Sequence, residues 1–279
     1  MSFLVMFFLP CFFQGSWEPL PKAPLHEMDV HLAANPSENL ILRFGTGKLY
    51  YSSPAQSIWN GRDWVRSIPG VNLPSTEEPL LTYDPVNKGI LLFGGARLGK
   101  NNYSFSNTTR LWKNGKWTTL RPKTSPSPRY VSSFTTDTKR NKIVFWAGGD
   151  SDFVRGRHYA NQTWEWDGKD WKGILNPIFP TIRWRGTMGF DPVSGKCLLF
   201  GGTTGPFGVS VYLNDLWSWD GKVWREIKKT KGKPWPSVRG WTQRFVFHPK
   251  LQRLLLIGGM EKDSKSGWVF HSDTWAWDG

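Results

Sequence analysis

A unit of about 50 residues recurs along this 279-residue chain, and that repetition limits the possible folds more than any other feature. One half of the unit is a turn followed by an apolar run that ends in glycine. Asp84-Pro85 leads to ILLFGG ending at Gly95, Asp137 leads to KIVFWAGG ending at Gly149, and Asp191-Pro192 leads to CLLFGG ending at Gly202. His248-Pro249 leads in the same way to Gly258-Gly259, and Asn35-Pro36 leads to Phe44-Gly45, where Thr46 replaces the second glycine. The other half is a tryptophan hairpin: Trp59-Asn60-Gly61 with Trp64, Asn114-Gly115 with Trp117, Trp166-Asp167-Gly168 with Trp171, and Trp219-Asp220-Gly221 with Trp224. Trp277-Asp278-Gly279 begins a fifth copy. The hairpin glycines lie 54, 53, 53 and 58 residues apart, a spacing of propeller-blade length.

Each unit contains two turn signals flanked by short β-branched or aromatic runs, and so predicts two hairpins, or four antiparallel strands. A four-stranded sheet has two faces to cover, which successive sheets do by stacking around an axis. The expected fold is therefore all-β, a β-propeller of four-stranded blades. Composition agrees, with 18 Trp and 29 Gly against five Met. Thirteen of the Trp fall within the repeat; Trp146, Trp184, Trp235, Trp241 and Trp268 do not.

The chain resembles the kelch-repeat family of β-propellers. The resemblance rests on the Gly-Gly strand ends, on the third-strand starts Asn161-Gln162-Thr163-Trp164, Asn214-Asp215-Leu216-Trp217 and Ser272-Asp273-Thr274-Trp275, and on the spacing of the hairpin tryptophans. Pro and Arg also lead into the first strand in SPSPRY, ending at Tyr130, and WPSVRG, ending at Gly240. The resemblance runs from residue 15 to the end. It implies either a binding scaffold or an enzyme, because kelch propellers host both. The galactose oxidase type needs a copper site with a Tyr joined to Cys, another Tyr and two His, a set this chain does not match. The sialic-acid epimerase type acts on an anionic sugar and is the enzymatic alternative, an isomerase.

Residues 1–14 read as a possible signal peptide without a basic start, so the expected location is secreted or periplasmic, with the cytoplasm as alternative. Residues 15–279 read as one propeller domain with blades near 28–70, 79–122, 129–176, 183–230, and 241–279 plus 15–22. GSWEPLP, from Gly15, resembles the fourth strand GKWTTLRP, from Gly115, so an N-terminal strand would complete the last blade. A fragment of a larger propeller is the competing reading. Only two cysteines are present; Cys11 lies in the leader, and Cys197, in an apolar strand, reads as a small buried hydrophobe.

A net charge of +14 favours an acidic partner, although no zinc-finger, helix-turn-helix or RNP pattern points to nucleic acid. Strand parity places the Asp-Pro and Trp-Asp-Gly turns on one face and the long, dissimilar loops 96–107, 150–161, 203–213 and 260–272 on the other. The loop face carries Arg97, Lys100, Arg155, Arg157, His158, Lys231 and Lys233, and rigid scaffolds usually bind through such variable loops. Arg129, Arg183 and Arg239 open the innermost strands of three blades, where converging guanidiniums would suit a carboxylate, sulfate or phosphate. The alternative is that they bond loop carbonyls between blades. Trp184, Trp235, Trp241 and Trp268 offer stacking surfaces for sugar rings or protein side chains beside them, with core packing or a loop anchor as the alternative for each. For acid-base chemistry the candidates are His158 and Glu261, with Asp152 and His271 behind them. No metal or cofactor is expected. The expected function is a monomeric scaffold that binds an acidic protein segment or an anionic glycan at its loop face.

Overall fold

The computed structural model describes residues 28–46, 55–66, 78–98, 103–130, 133–149, 161–205, 210–263 and 267–279. Among these residues there are strands and no helices. Blade 1 comprises β1 (Met28–Asn35), β2 (Leu40–Thr46), β3 (Ala55–Trp59) and β4 (Trp64–Arg66). Blade 2 has β5 (Leu80–Asp84) and β6 (Gly89–Phe93), then a hairpin of β7 (Ala96–Leu98) and β8 (Tyr103–Phe105), then β9 (Thr109–Lys113) and β10 (Lys116–Leu120). Blade 3 comprises β11 (Phe134–Asp137), β12 (Lys142–Trp146), β13 (Thr163–Trp166) and β14 (Trp171–Ile174). Blade 4 comprises β15 (Thr187–Asp191), β16 (Lys196–Thr204), β17 (Val211–Trp219) and β18 (Trp224–Ile227). Blade 5 pairs β19 (Arg244–His248), β20 (Arg253–Ile257) and β23 (Thr274–Trp277), with a hairpin of β21 (Met260–Asp263) and β22 (Gly267–Phe270) above β20. All pairings are antiparallel, for example Asp191↔Lys196 and Trp219↔Trp224. The result is a five-bladed β-propeller. The expected leader at 1–14 and closing strand at 15–22 lie outside the described residues.

Each turn has a local cause. Asp84 Oδ1 accepts the backbone N–H groups of Val86 and Asn87 (3.0 and 3.1 Å), and Asp191 Oδ1 accepts that of Val193 (3.0 Å), which is why aspartate precedes the first hairpin turn. In the second hairpin Asp167 Oδ1 accepts the N–H groups of Lys169 and Asp170 (2.9 and 2.8 Å), and Asp220 does the same for Lys222 and Val223 (both 2.9 Å). Asn114-Gly115 instead forms a two-residue turn with both φ positive (52° and 75°), as hairpin twist requires.

First strands of successive blades touch in the series β1–β5, β5–β11, β11–β15 and β15–β19, so they line the axis. Between blades the apolar faces interlock. Leu81, Ile90, Leu92 and Trp112 of blade 2 pack on Leu42 and Phe44 of blade 1, and Cys197, Leu199 and Trp219 of blade 4 pack on Val144 and Trp146 of blade 3. Cys197 is wholly buried, and burial pushes its thiol well above the usual range. In blades 2, 3 and 4 the fourth-strand indole reaches back to the preceding blade: Trp117 Nε1 donates to Gln56 (2.7 Å), Trp171 to Thr109 (2.9 Å) and Trp224 to Thr163 (2.7 Å). Trp166 and Trp219 add interblade bonds of the same kind, to Asp84 (2.7 Å) and Glu165 (2.9 Å), so these tryptophans combine packing between blades with a polar pin.

The outward faces of the first and last blades are the least covered. Leu32 is 59% exposed, whereas Leu81, at the same register position one blade on, is 3%. Ile257 is 41% exposed, whereas its equivalent Phe200 is 2%.

Candidate ligand site at the channel mouth

Arg129, Arg183 and Arg239 stand at the mouth end of the first strands, but their guanidiniums turn into the blades, with exposures of 2%, 1% and 0%. Each reaches across its own blade to one carbonyl: Arg129 Nη1 donates to Ala147 (3.2 Å), Arg183 Nη1 to Gly201 (2.9 Å) and Arg239 Nη1 to Gly258 (2.8 Å). Each Nε closes back onto the carbonyl two residues earlier, at Ser127, Thr181 and Ser237. Arg183 also forms a fork on Asp215 (2.6 and 2.7 Å), and Arg239 one on Asp273 (2.7 and 2.9 Å). Trp217 and Trp275 donate to the same aspartates, at 2.7 and 2.6 Å. The arginine and the third-strand aspartate therefore recur as one structural unit. The alternative raised from the repeat, bonds to loop carbonyls, therefore holds within each blade rather than between blades, and the guanidiniums are directed inward, to groups of the protein itself.

The carboxylates register this pairing. Burial pushes Asp215 up, but the hydrogen bonds and charge of Arg183 outweigh it and hold the carboxyl below its ordinary value. Hydrogen bonding from Arg239 lowers Asp273 to about 2.

The unit also corrects the repeat alignment in blade 3. Ala147, not Gly148, holds the position of Gly201 and Gly258, with φ of 58° beside 61° and 59°. An alanine there adopts the left-handed conformation that the other blades give to glycine.

Three loops expected on the variable face carry strands: β7–β8 covers part of 96–107, β16 and β17 extend through Thr204 and from Val211, and β21–β22 occupies much of 260–272. Arg155, Arg157, His158, Lys100 and Asp152 lie outside the described residues. Lys231 and Lys233 are exposed, as expected.

What converges at the mouth is a different set. Glu78 and Arg185 stand two residues before β5 and β15, each with a left-handed backbone (φ 44° and 57°), as does Thr242 before β19 (φ 62°). Arg185 Nε donates to Glu78 Oε1 at 3.2 Å, joining blade 4 to blade 2 past the intervening blade. The Arg185 guanidinium lies 3.2 Å from the Trp241 ring centroid, in cation–π contact. Gln243 donates from Nε2 to the Arg185 carbonyl (2.6 Å) and is 1% exposed, with its Oε1 buried and without a hydrogen-bond partner. Trp241 meets Trp268 edge-on at 5.6 Å, and Lys262 Nζ lies 5.8 Å from the Trp268 ring. Trp268 is 46% and Phe270 73% exposed, on the same side of β22. Glu261 approaches His271 at 3.4 Å, and His271 Nδ1 lies 3.5 Å from Ser237 Oγ. Trp184 is half-buried and bridged to Thr203. Trp146 is core, and Trp235 anchors a loop by donating to the Asn214 carbonyl (2.7 Å).

Arg185 and Glu78 interrupt the repeat, so the repeat does not mark them. That departure was the available signal: in RWRG the second arginine stands where blade 5 has Thr242.

Fold and mouth together define a β-propeller that presents aromatic and cationic groups on the face opposite its tight turns. No family model and no curated protein matches the chain. It is similar to a solved structure described as "Structure of YjhT", with 12% sequence identity and a TM-score of 0.63, over 89% of this chain and 80% of that one. At that identity the likeness is one of fold.

Proposed function

We propose that the chain is a kelch-type binding scaffold that takes an acidic partner, a protein segment or an anionic glycan, on its loop face after export from the cytoplasm. The observation that carries this reading is the exposed Trp268 and Phe270 pair beside Lys262, on a hairpin raised above blade 5. Aromatic rings next to cations on a rigid element favour ligands that combine an apolar surface with negative charge. The net charge of +14 attracts such ligands over the distance of a Debye length. The leader-like residues 1–14 support export. Binding measured against acidic peptides and against sialylated, sulfated and neutral sugars tests the reading. An acidic ligand should bind, and Trp268→Ala with Lys262→Ala should remove most of that affinity while leaving the unfolding midpoint unchanged. Affinity that survives the double change, or that follows changes on the turn face, would refute it.

The isomerase reading keeps one supporting observation, the Glu261–His271 pair at 3.4 Å, which joins a carboxylate to an imidazole on this face. It predicts epimerisation of a sialic acid, followed by NMR, that Glu261→Gln abolishes.

A further inference from the structure

Arg185 is the cation at the mouth whose surroundings differ in kind from those of the repeated arginines. Its side chain retains 29% exposure, where those of Arg183 and Arg239 retain none. Its backbone adopts a left-handed conformation (φ 57°), a kind of strain that clusters at ligand clamps. The guanidinium lies over the Trp241 ring at 3.2 Å from its centroid, while Gln243 fixes the carbonyl behind it and leaves a buried amide oxygen unused. A glutamate from a blade two steps away meets this guanidinium, with a side chain 26% exposed and itself held at positive φ. A guanidinium fork donates to two carboxylate oxygens side by side. Arg185 Nε donates to Glu78 Oε1 at 3.2 Å.

We infer that the mouth is a carboxylate-docking site that Glu78 occupies from within the chain, and that the partner is an acidic protein segment whose own glutamate or aspartate displaces Glu78 from Arg185. This rests on the loop-face reading above. The occupant argues for a peptide: what the site already holds is a glutamate side chain. Neighbouring groups extend the match, since Lys262 offers a second cation, and Trp268 and Phe270 offer apolar rings for the side chain beyond. Glu78 then acts as a competitor, and the apparent affinity for the partner falls by the fraction of time that Arg185 is free of it. The device filters ligands: a neutral segment gains nothing from displacing Glu78, whereas an acidic one exchanges one carboxylate for another and keeps the contacts of its remaining residues.

The test uses the full chain and a fluorescein-labelled peptide of alternating glutamate and leucine, with the glutamine–leucine peptide as neutral control and a hyaluronate oligosaccharide as carboxylated glycan, all read by anisotropy at fixed ionic strength. Glu78→Gln and Glu78→Ala should each tighten the acidic peptide by about tenfold, the factor expected where an internal competitor holds the site nine-tenths of the time. Arg185→Ala, added to either, should remove the gain, and Arg185→Lys should restore only part of it because the fork is lost. The neutral peptide should not respond. A cooperative melt for each variant shows that it has folded. No tightening on removing Glu78, equal tightening for the neutral peptide, or a gain that survives Arg185→Ala would overturn the inference. A larger gain for hyaluronate than for the peptide would overturn the choice of partner. Acidic binding that Trp268→Ala abolishes but Glu78→Gln leaves unmoved would overturn this inference alone. Absence of acidic binding in the wild type and every Glu78 variant would overturn the loop-face reading with it.

Discussion

Arg183 and Asp215 show how one residue pair can serve the scaffold while looking like a binding site. The guanidinium is fully buried and makes two charged bonds to a carboxylate only 23% exposed. Removing one partner of such a pair leaves the other uncompensated, so Arg183→Ala should lower unfolding free energy by about 3–5 kcal/mol in denaturant titrations. A loss below about 1 kcal/mol would mean that the pair is open to solvent. Asp273 adds a pH signature. Its carboxyl sits at about 2 in the fold against an ordinary 3.8, so its contribution is present in full above 3.8 and disappears as pH falls through 2. Asp273→Asn should therefore lower the midpoint at neutral pH and flatten its decline across that acid window, as followed by circular dichroism. The sequence showed both arginines and both aspartates at repeating positions, yet it did not show that they meet, since they lie 32 and 34 residues apart. Arg185 was hidden for the opposite reason, because it occurs once and repetition was the guide.

The blades, as elements, were legible almost throughout. Turn dipeptides, apolar runs and hairpin tryptophans each have a local physical cause, and local causes can be read from local sequence. What escaped was the extension of second hairpins above the face, because short strands such as Met260–Asp263 and Gly267–Phe270 carry no repeated pattern. Two substitutions test the packing rules within a blade. Trp224 donates to the fully buried Thr163, while the indole N–H of Trp112, at the core of another blade, is buried without a partner. Trp224→Phe should cost about 1–2 kcal/mol more than Trp112→Phe, because only the former breaks a bond and strands an acceptor. Equal costs would show that the pin adds nothing to the packing. Gly201 has φ of 61°, and a Cβ there would meet the Arg239 carbonyl oxygen at 2.6 Å. Gly201→Ala should therefore destabilise by more than about 1 kcal/mol, although Ala147 is tolerated at the equivalent position in blade 3.

Over the whole molecule, cover is uneven around the ring. Phe200→Ala should cost about 3–5 kcal/mol, as for other buried aromatics, while Ile257→Ala, at the same register one blade later, should cost less than half as much. A full core cost at Ile257 would mean that another part of the chain, such as residues 15–22, seals that face in solution. Sequence could place the blades in order, but not the extent of burial at the two ends, since burial depends on what stands opposite. The interblade indoles add a point about descent. Each of Trp117, Trp171 and Trp224 points to the blade before it, so the structure has a direction; the joints into blades 3 and 4 share the same parts, an indole on a threonine hydroxyl, where the joint into blade 2 uses the amide of Gln56. A gene duplication that copies one whole period, such as blade 3, brings both an indole (Trp171) and the hydroxyl its successor needs (Thr163). Propellers of this kind can thus gain or lose a blade in a single genetic step, whereas a change within a blade must be matched by its neighbour.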